Sequence, residues 1–186
     1  MAKAQSAAEE LVATVETGAR TPHGWVARVF LTLAFSWSAF QLYMASAVPF
    51  WLSQHLGVNL VFNNQEMRQI HLAFALVLAM LAFPLFKNSP AQRVRVPAFD
   101  WALALMGAAS CLYLLINKSA IADRAGLPTT ADLVVSVMGM ISLGIAVYRA
   151  LGLPLVIVAS VFVLYVFFGH SPLLPEAIQW KGASFG

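Results

Sequence analysis

Charged residues are scarce in this chain, and their scarcity excludes most soluble folds. Only 10% of the 186 residues are Asp, Glu, Lys or Arg, whereas 60% are hydrophobic and the mean hydropathy is +0.77. A soluble domain is typically about a quarter charged and about half apolar. A chain of this composition lacks the polar side chains that would keep its surface hydrated. The sequence therefore predicts a protein whose solvent is largely lipid.

Cysteine and the common catalytic motifs are also nearly or wholly missing. The single cysteine, Cys111, excludes an intramolecular disulfide, and a lone thiol in an apolar run usually serves as a small packing residue. The sequence has no Walker A motif, CxxC pair, HExxH motif or glycine-rich dinucleotide turn. No Asp, Glu, Lys, Arg or His lies in the middle of an apolar run, which argues against a proton relay within the chain. We therefore predict that the protein is not an enzyme and holds no cofactor or metal.

What the sequence does contain is a series of long intervals without charge. These intervals are residues 29–65, 69–86, 101–117, 133–148 and 150–175. Each contains an apolar core of about 17–22 residues, enough to cross a hydrocarbon layer of ~30 Å at ~1.5 Å per residue. We therefore predict an all-α polytopic membrane bundle. Its five transmembrane helices are expected near 26–48, 67–86, 99–117, 131–149 and 152–169.

The distribution of basic residues predicts that the N-terminus is cytoplasmic. In that orientation seven Lys and Arg residues lie inside and four outside, and the loop at 87–98 contributes most of the difference. The same bias accounts for the isoelectric point of about 9.3, so we predict no nucleic-acid partner. An odd number of spans places the C-terminus outside.

Four segments follow from this pattern. Residues 1–24 form a cytoplasmic tail, in which the capping-box pattern at Ser6–Glu9 allows a short amphipathic helix. Residues 25–150 form a four-helix membrane domain, and residues 151–170 add one more transmembrane helix. Residues 171–186 form an external tail.

Local signals mark several helix ends. Asn63 with Glu66, and Thr129 with Asp132, predict N-caps at the outer starts of the second and fourth spans. Pro84 has no N–H, so it is predicted to leave a backbone carbonyl of the preceding turn without its usual partner and to bend the second helix. Prolines in the first turn of a helix cost little, and Pro154 is expected to start the fifth one.

The histidines at the outer helix ends allow two interpretations. His71 is predicted to lie two turns into the second helix, roughly 10 Å along its axis, with Arg68 one turn above it. With His170, which closes the fifth span, His71 could ligate a haem across the bundle. The alternative is that the outer histidines hydrogen-bond near lipid headgroups, and the sequence favours this second interpretation.

Several stretches resemble the N-terminal, small-subunit part of fused permeases in the tripartite ATP-independent periplasmic (TRAP) transporter family. They are IHLAFALVLAMLAFP (70–84), PAFDWALALMGAASCLYLL (97–115), AGLPTTADLVV (125–135), YRALGLPLVIVASVFVLYVFFGH (148–170) and WKGASF (180–185). They occur in the expected order and cover about 65–185. One position departs from the family pattern, because Ile145 stands where an acidic residue is expected before Arg149. The inner-leaflet ion pair of the family is therefore not expected here.

The resemblance implies a role and a set of partners. In this family an extracytoplasmic solute-binding protein delivers a small organic anion or amino acid, and a large membrane permease subunit moves it with a sodium gradient. The small subunit braces that permease in the bacterial cytoplasmic (inner) membrane, and helix 151–170 would connect the two parts.

On this basis four outer residues are candidates for docking the binding protein or for anchoring to lipid headgroups: Arg68, His71, Trp51 and Arg124. Two other functions remain open. One is a haem- or quinone-binding membrane anchor of a redox enzyme that uses His71 and His170. The other is a membrane assembly factor without a transport partner.

Overall fold

The computed structural model describes residues 18–57, 60–85, 95–171, 175–179 and 181. Over these residues the fold is all-α, as predicted, with seven helices and no strand. The helices are α1 (Gly24–Ala45), α2 (Val48–Leu56), α3 (Asn64–Ala82), α4 (Ala98–Ile116), α5 (Lys118–Asp123), α6 (Thr130–Leu151) and α7 (Leu153–Phe168), and a 3-10 turn follows at Glu176–Ile178. The predicted tail helix near 6–9, most of the basic loop and nearly all of the WKGASF stretch lie outside the described residues.

Helix α3 occupies the centre of the bundle. It packs most extensively against α4, and it also contacts α1 and α6, while α7 packs against α6. The core between α3, α4 and α6 is formed by Leu76, Met80, Leu103, Ala104 and Ala146. The apolar side chains that the sequence places on these three helices therefore bury one another.

A glycine permits the close approach of these helices. A Cβ added at Gly107 of α4 would lie 3.1 Å from Leu76 Cδ1 of α3 and 3.3 Å from Ser142 Cβ of α6. Cys111, one turn further along α4, is also buried, which supports its interpretation as a packing residue. Small residues at such positions let helix backbones approach closely in membrane bundles.

Length and composition identify two or three candidate membrane spans. Helices α4 and α6 are each long and apolar enough to span a membrane alone. Helices α1 and α2 reach that length and composition only as a pair, and their axes meet at a bend of 76°. Helix α7 is apolar but has only 16 residues, and α3 begins with two polar turns. The structure thus supports a multi-pass membrane protein, whereas a count of five spans remains a prediction.

Both predicted N-caps are confirmed. The Asn63 Oδ1 atom accepts hydrogen bonds from the backbone N–H groups of Gln65 and Glu66 at 2.9 Å, and Glu66 Oε2 accepts from the Asn63 N–H at 2.8 Å. Thr129 and Asp132 form the same reciprocal pair at the start of α6. These bonds satisfy N–H groups that a helix start would otherwise leave without partners.

Two helix ends and one loop differ from the predictions. Helix α3 ends at Ala82, so Pro84 terminates this helix and does not bend it. Helix α1 ends at Ala45, three residues earlier than expected, and the predicted outer loop at 49–66 contains α2. Ser46 explains the early end, because its side chain accepts from the Val48 N–H at 3.2 Å and starts a new helix in another direction.

Candidate functional site

The four candidate residues of the outer side are not gathered into one site. Arg68 and His71 lie one turn apart on α3, and both are exposed. Trp51 lies on α2, and Arg124 follows α5. Within the described parts of the chain, no hydrogen bond, ion pair or ring contact joins any two of them.

His71 is held by two residues of α1. The Trp37 Nε1–H group donates to His71 Nδ1 at 3.2 Å, and the two rings meet edge-on with centroids 4.8 Å apart. The Gln41 amide nitrogen lies 3.3 Å from the same ring nitrogen. An indole nitrogen can only donate, so His71 Nδ1 must accept and the proton of the neutral ring must sit on Nε2. His71 therefore takes part in hydrogen bonding between α3 and α1, through Trp37 and Gln41.

A shallow cavity of ≈ 360 Å³ lies beside this histidine. It is lined by Phe40, Gln41, Met44, Ala45, Met67 and His71. The Nε2–H group of His71 is a hydrogen-bond donor beside a mainly apolar cavity. Such a donor suits an oxygen acceptor, for example a carbonyl or a phosphate. In this tautomer His71 has no free ring nitrogen for a haem iron, because Nδ1 accepts from Trp37 and Nε2 carries the proton. No described contact joins His71 to His170. Among the described residues, no three His, Cys, Asp or Glu side chains form a cluster that could hold a metal.

Arg124 forms an ion pair within the protein. Its guanidinium contacts both carboxylate oxygens of Asp132 at 3.0–3.1 Å. The same carboxylate accepts from the Tyr113 hydroxyl at 2.7 Å and from the Thr129 hydroxyl at 2.8 Å. The hydrogen bond with Asp132 raises the pKa of the Arg124 guanidinium. Arg124 therefore ties the loop after α5 to α4 and α6, which leaves Arg68 as the more available cation of the candidate set.

A second ion pair, at the same end of the bundle, joins the start of α3 to the start of α5. Lys118, the first residue of α5, contacts the carboxylate of Glu66 in the first turn of α3. The Glu66 side chain is buried, whereas the Lys118 side chain is 55% exposed. Glu66 thus serves two purposes, because it completes the cap of α3 and also connects α3 to the segment after α4.

The opposite end of the bundle carries a buried ionic cluster that sequence reasoning missed. We call Arg20, Asp100 and Arg149 the inner cluster. Arg149 Nη1 lies 2.7 Å from Asp100 Oδ1, and Arg20 Nη2 contacts the other carboxylate oxygen. The side chains of both arginines are 0% exposed, and that of Asp100 is 1% exposed. The cluster connects the segment before α1 to the start of α4 and the end of α6.

The inner cluster also binds the end of α3. The Met80 carbonyl accepts from Arg20 Nη1 at 3.1 Å and from Arg149 Nη1 at 3.5 Å. This is the carbonyl that Pro84 was predicted to leave without a partner. Three further carbonyls accept from the same two residues. The Leu81 carbonyl accepts from the Arg20 guanidinium, the Phe83 carbonyl from the Arg149 guanidinium, and the Ala82 carbonyl from the backbone N–H of Arg20 at 2.7 Å. Cations at a helix C-terminus are also favoured by the helix dipole.

Within the inner cluster, the guanidinium groups of Arg20 and Arg149 share the carboxylate of Asp100. Arg149 Nε and Nη2 have no hydrogen-bond partner within the described residues. The absence of an acid at Ile145 led us to expect no inner ion pair, but the acid comes from Asp100 on α4. A pair between α4 and α6 has no local sequence signal, because its members are 49 residues apart.

Comparison with protein-family models, with curated proteins and with solved structures gives no match. The TRAP-type resemblance therefore rests only on the residues quoted above.

Proposed function

We propose that this chain is the scaffold, or small-subunit, portion of a TRAP-type secondary transporter in a bacterial cytoplasmic membrane. The observation that carries the proposal is the use of charged side chains in the described residues. The inner cluster, the Glu66–Lys118 pair and the Arg124–Asp132 pair each join separate segments of the bundle. Ion pairs at both ends make the bundle a rigid brace, which a moving permease domain requires.

Two features support α3 as a further span. It has 19 residues, about 28 Å at 1.5 Å per residue, and it is packed between α4 and α6. Its charged residues are confined to the first two turns, where Glu66 is paired and Arg68 can extend to headgroups. The remaining turns are apolar and form much of the core.

Helix α7 fits the role of the connecting helix. Its 16 residues contribute none to the buried core, and large apolar side chains such as Ile157, Val161 and Phe162 are more than half exposed. Such a surface needs lipid or a membrane partner. On the proposed assignment the neighbour is the large permease subunit, which supplies the substrate and sodium sites.

The test of this function is uptake in the native cell. Disrupting the chain should abolish one sodium-dependent uptake activity in a panel of labelled small carboxylates and amino acids. That activity should also require an extracytoplasmic binding protein, and a plasmid copy should restore it. If no uptake activity changes while the large permease is still present in the membrane, the scaffold proposal is wrong.

Arg68 and His71 are the residues we propose for docking the binding protein. Arg68→Ala and His71→Ala should weaken uptake at low concentrations of binding protein and leave the level of the chain unchanged. Arg28→Ala is the matched control, because Arg28 is an exposed arginine near the other end of the bundle. Equal uptake by all three variants would refute docking and would leave headgroup anchoring as their role.

The redox-anchor alternative has a separate readout. A chain that ligates a b-type haem would show a Soret band when it is purified from native membranes. The hydrogen bond from Trp37 to His71 argues against this alternative, because it keeps the proton of the neutral ring on Nε2, which then has no lone pair for the iron.

A further inference from the structure

A cavity of ≈ 270 Å³ lies between α1, α3 and α4. Residues between 69 and 77 of α3 and between 108 and 115 of α4 line it, and α1 contributes Leu33. The stretch of α3 is about 12 Å long at ~1.5 Å per residue. Leu112 of the cavity wall is 53% exposed, so the cavity is open on the side of α4. An engineered protein cavity of about 150 Å³ binds benzene, so this larger one has room for a small organic molecule.

One side chain of the cavity wall has an amide. Among the described residues that line the cavity, only Gln69 carries such a group, and none is charged or bears a hydroxyl group. The Gln69 Oε1 atom is buried and has no hydrogen-bond partner within the described chain. Buried side-chain oxygens in native proteins nearly always accept a hydrogen bond. Gln69 therefore offers an unused acceptor at one end of an otherwise apolar space.

Neither water nor an ion suits this cavity. A buried water makes roughly two to four hydrogen bonds, and the described wall supplies one amide. A charged ligand would lose its hydration and find no opposite charge among the same residues. What fits is an uncharged molecule that is apolar along most of its length and has a hydrogen-bond donor at one end.

We propose that this cavity binds an uncharged alcohol with an apolar chain. The hydroxyl group donates to Gln69 Oε1, and the chain follows α3 toward Val77. The last torsion of a glutamine side chain turns easily, so Oε1 can reach into the cavity without a change in the helices. Organic anions, amino acids and sodium do not have this chemistry, so the site is separate from the proposed transport role.

Photolabelling with a diazirine analogue of octanol tests the site on the native chain. The purified chain is reconstituted in phosphatidylcholine liposomes and irradiated with the probe, and the adducts are located by peptide mass spectrometry. Phe74 and Cys111 lie in the cavity wall and report binding there. Phe35 is 75% exposed on α1 and reports labelling of the apolar surface.

The native chain should show severalfold more adduct at positions 74 and 111 than at position 35. An excess of octanol should remove most of the labelling at 74 and 111, because it competes for the cavity and for the amide. An equal excess of octane should remove little of it, because octane has no hydroxyl group.

Two substitutions separate the role of the amide from that of the space. Gln69→Met keeps a side chain of similar length without the amide, so labelling at 74 and 111 should fall severalfold, and octanol and octane should compete equally. Gln65→Met is the matched control and should label like the native chain, because Gln65 is an exposed glutamine of the same helix. Ala108→Leu places a larger side chain in the cavity wall, so it should prevent labelling at 74 and 111 and leave that at 35 unchanged.

Two results on the native chain would overturn the inference, and neither depends on the folding of a variant. Equal labelling at 35, 74 and 111 would show that the probe does not bind in the cavity. Equal competition by octane and octanol would show that the site does not recognise a hydroxyl group. Native-level labelling of Gln69→Met, with its helix content unchanged by circular dichroism, would show that Gln69 is not the acceptor.

Discussion

Replacing Asp100 by asparagine should destabilise the bundle more than any change at its surface. Asn has nearly the same shape as Asp but carries no charge, so Asp100→Asn removes the anion and replaces one of the two accepting oxygens by an NH2 donor. Arg20 and Arg149 then keep their buried guanidinium groups but lose the carboxylate that both of them contact. Water cannot compensate, because Arg20 and Arg149 have fully buried side chains.

The size of the effect follows from the burial. Removing one partner of a buried ion pair typically costs about 3–5 kcal/mol, because the remaining charge stays buried and uncompensated. Arg20→Met provides an internal comparison, since it leaves the Asp100 carboxylate paired with the Arg149 guanidinium. It also removes the hydrogen bonds that Arg20 makes to the carbonyls of Met80 and Leu81. If charge balance dominates, Arg20→Met costs less than Asp100→Asn although it breaks more contacts.

The assay is reversible unfolding in mixed micelles, with sodium dodecyl sulfate as denaturant and far-UV circular dichroism as the readout. Asp123→Asn is the matched control, because Asp123 is exposed at the end of α5. It should leave the free energy of unfolding unchanged. If Asp100→Asn is as stable as the control, or if Arg20→Met is the more damaging variant, then charge balance does not stabilise the inner cluster.

Three further results are expected. Gly107→Val should lower the free energy of unfolding by about 1–3 kcal/mol, because the added side chain overpacks the contact of α4 with α3 and α6. Gly144→Val is the control and should change it little in the same assay, since an added Cβ there meets nothing within 4 Å; equal effects would contradict the close approach of the helices at Gly107. Asn63→Ala should lower the free energy of unfolding by about 1 kcal/mol, because it removes the side-chain cap of α3. An unchanged free energy of unfolding would mean that the capping box does not stabilise the protein. Nitrogen-15 spectra should show His71 with its proton on Nε2, and Trp37→Phe should let the two tautomers mix; a proton on Nδ1 in the native chain would rule out the Trp37 hydrogen bond.

Features with a local cause were predictable from the sequence. The caps at Asn63 and Thr129 need only residues within one turn, and both form as expected. The all-α class follows from the long charge-free intervals. It was also predictable that the Met80 carbonyl lacks its usual helical partner, because Pro84 has no N–H.

Features that depend on distant residues were not predictable. Nothing near Asp100 in the sequence indicates that Arg20 and Arg149 surround it, since they are 80 and 49 residues away. The turn between α1 and α2 was missed because charge-free sequence continues through Ser46, so hydropathy alone does not show a change of direction. For Arg124, sequence reasoning identified the residue but not its partner Asp132, which takes up its hydrogen-bonding groups.

The most direct test of the scaffold proposal is capture of the native protein from its own membranes with an antibody to the tail at 1–24, followed by the intact mass of every captured chain. The proposal predicts a large permease, either as a separate chain that co-purifies or as part of a product much heavier than 20.1 kDa. A captured product of 20.1 kDa that is free of any permease would contradict it.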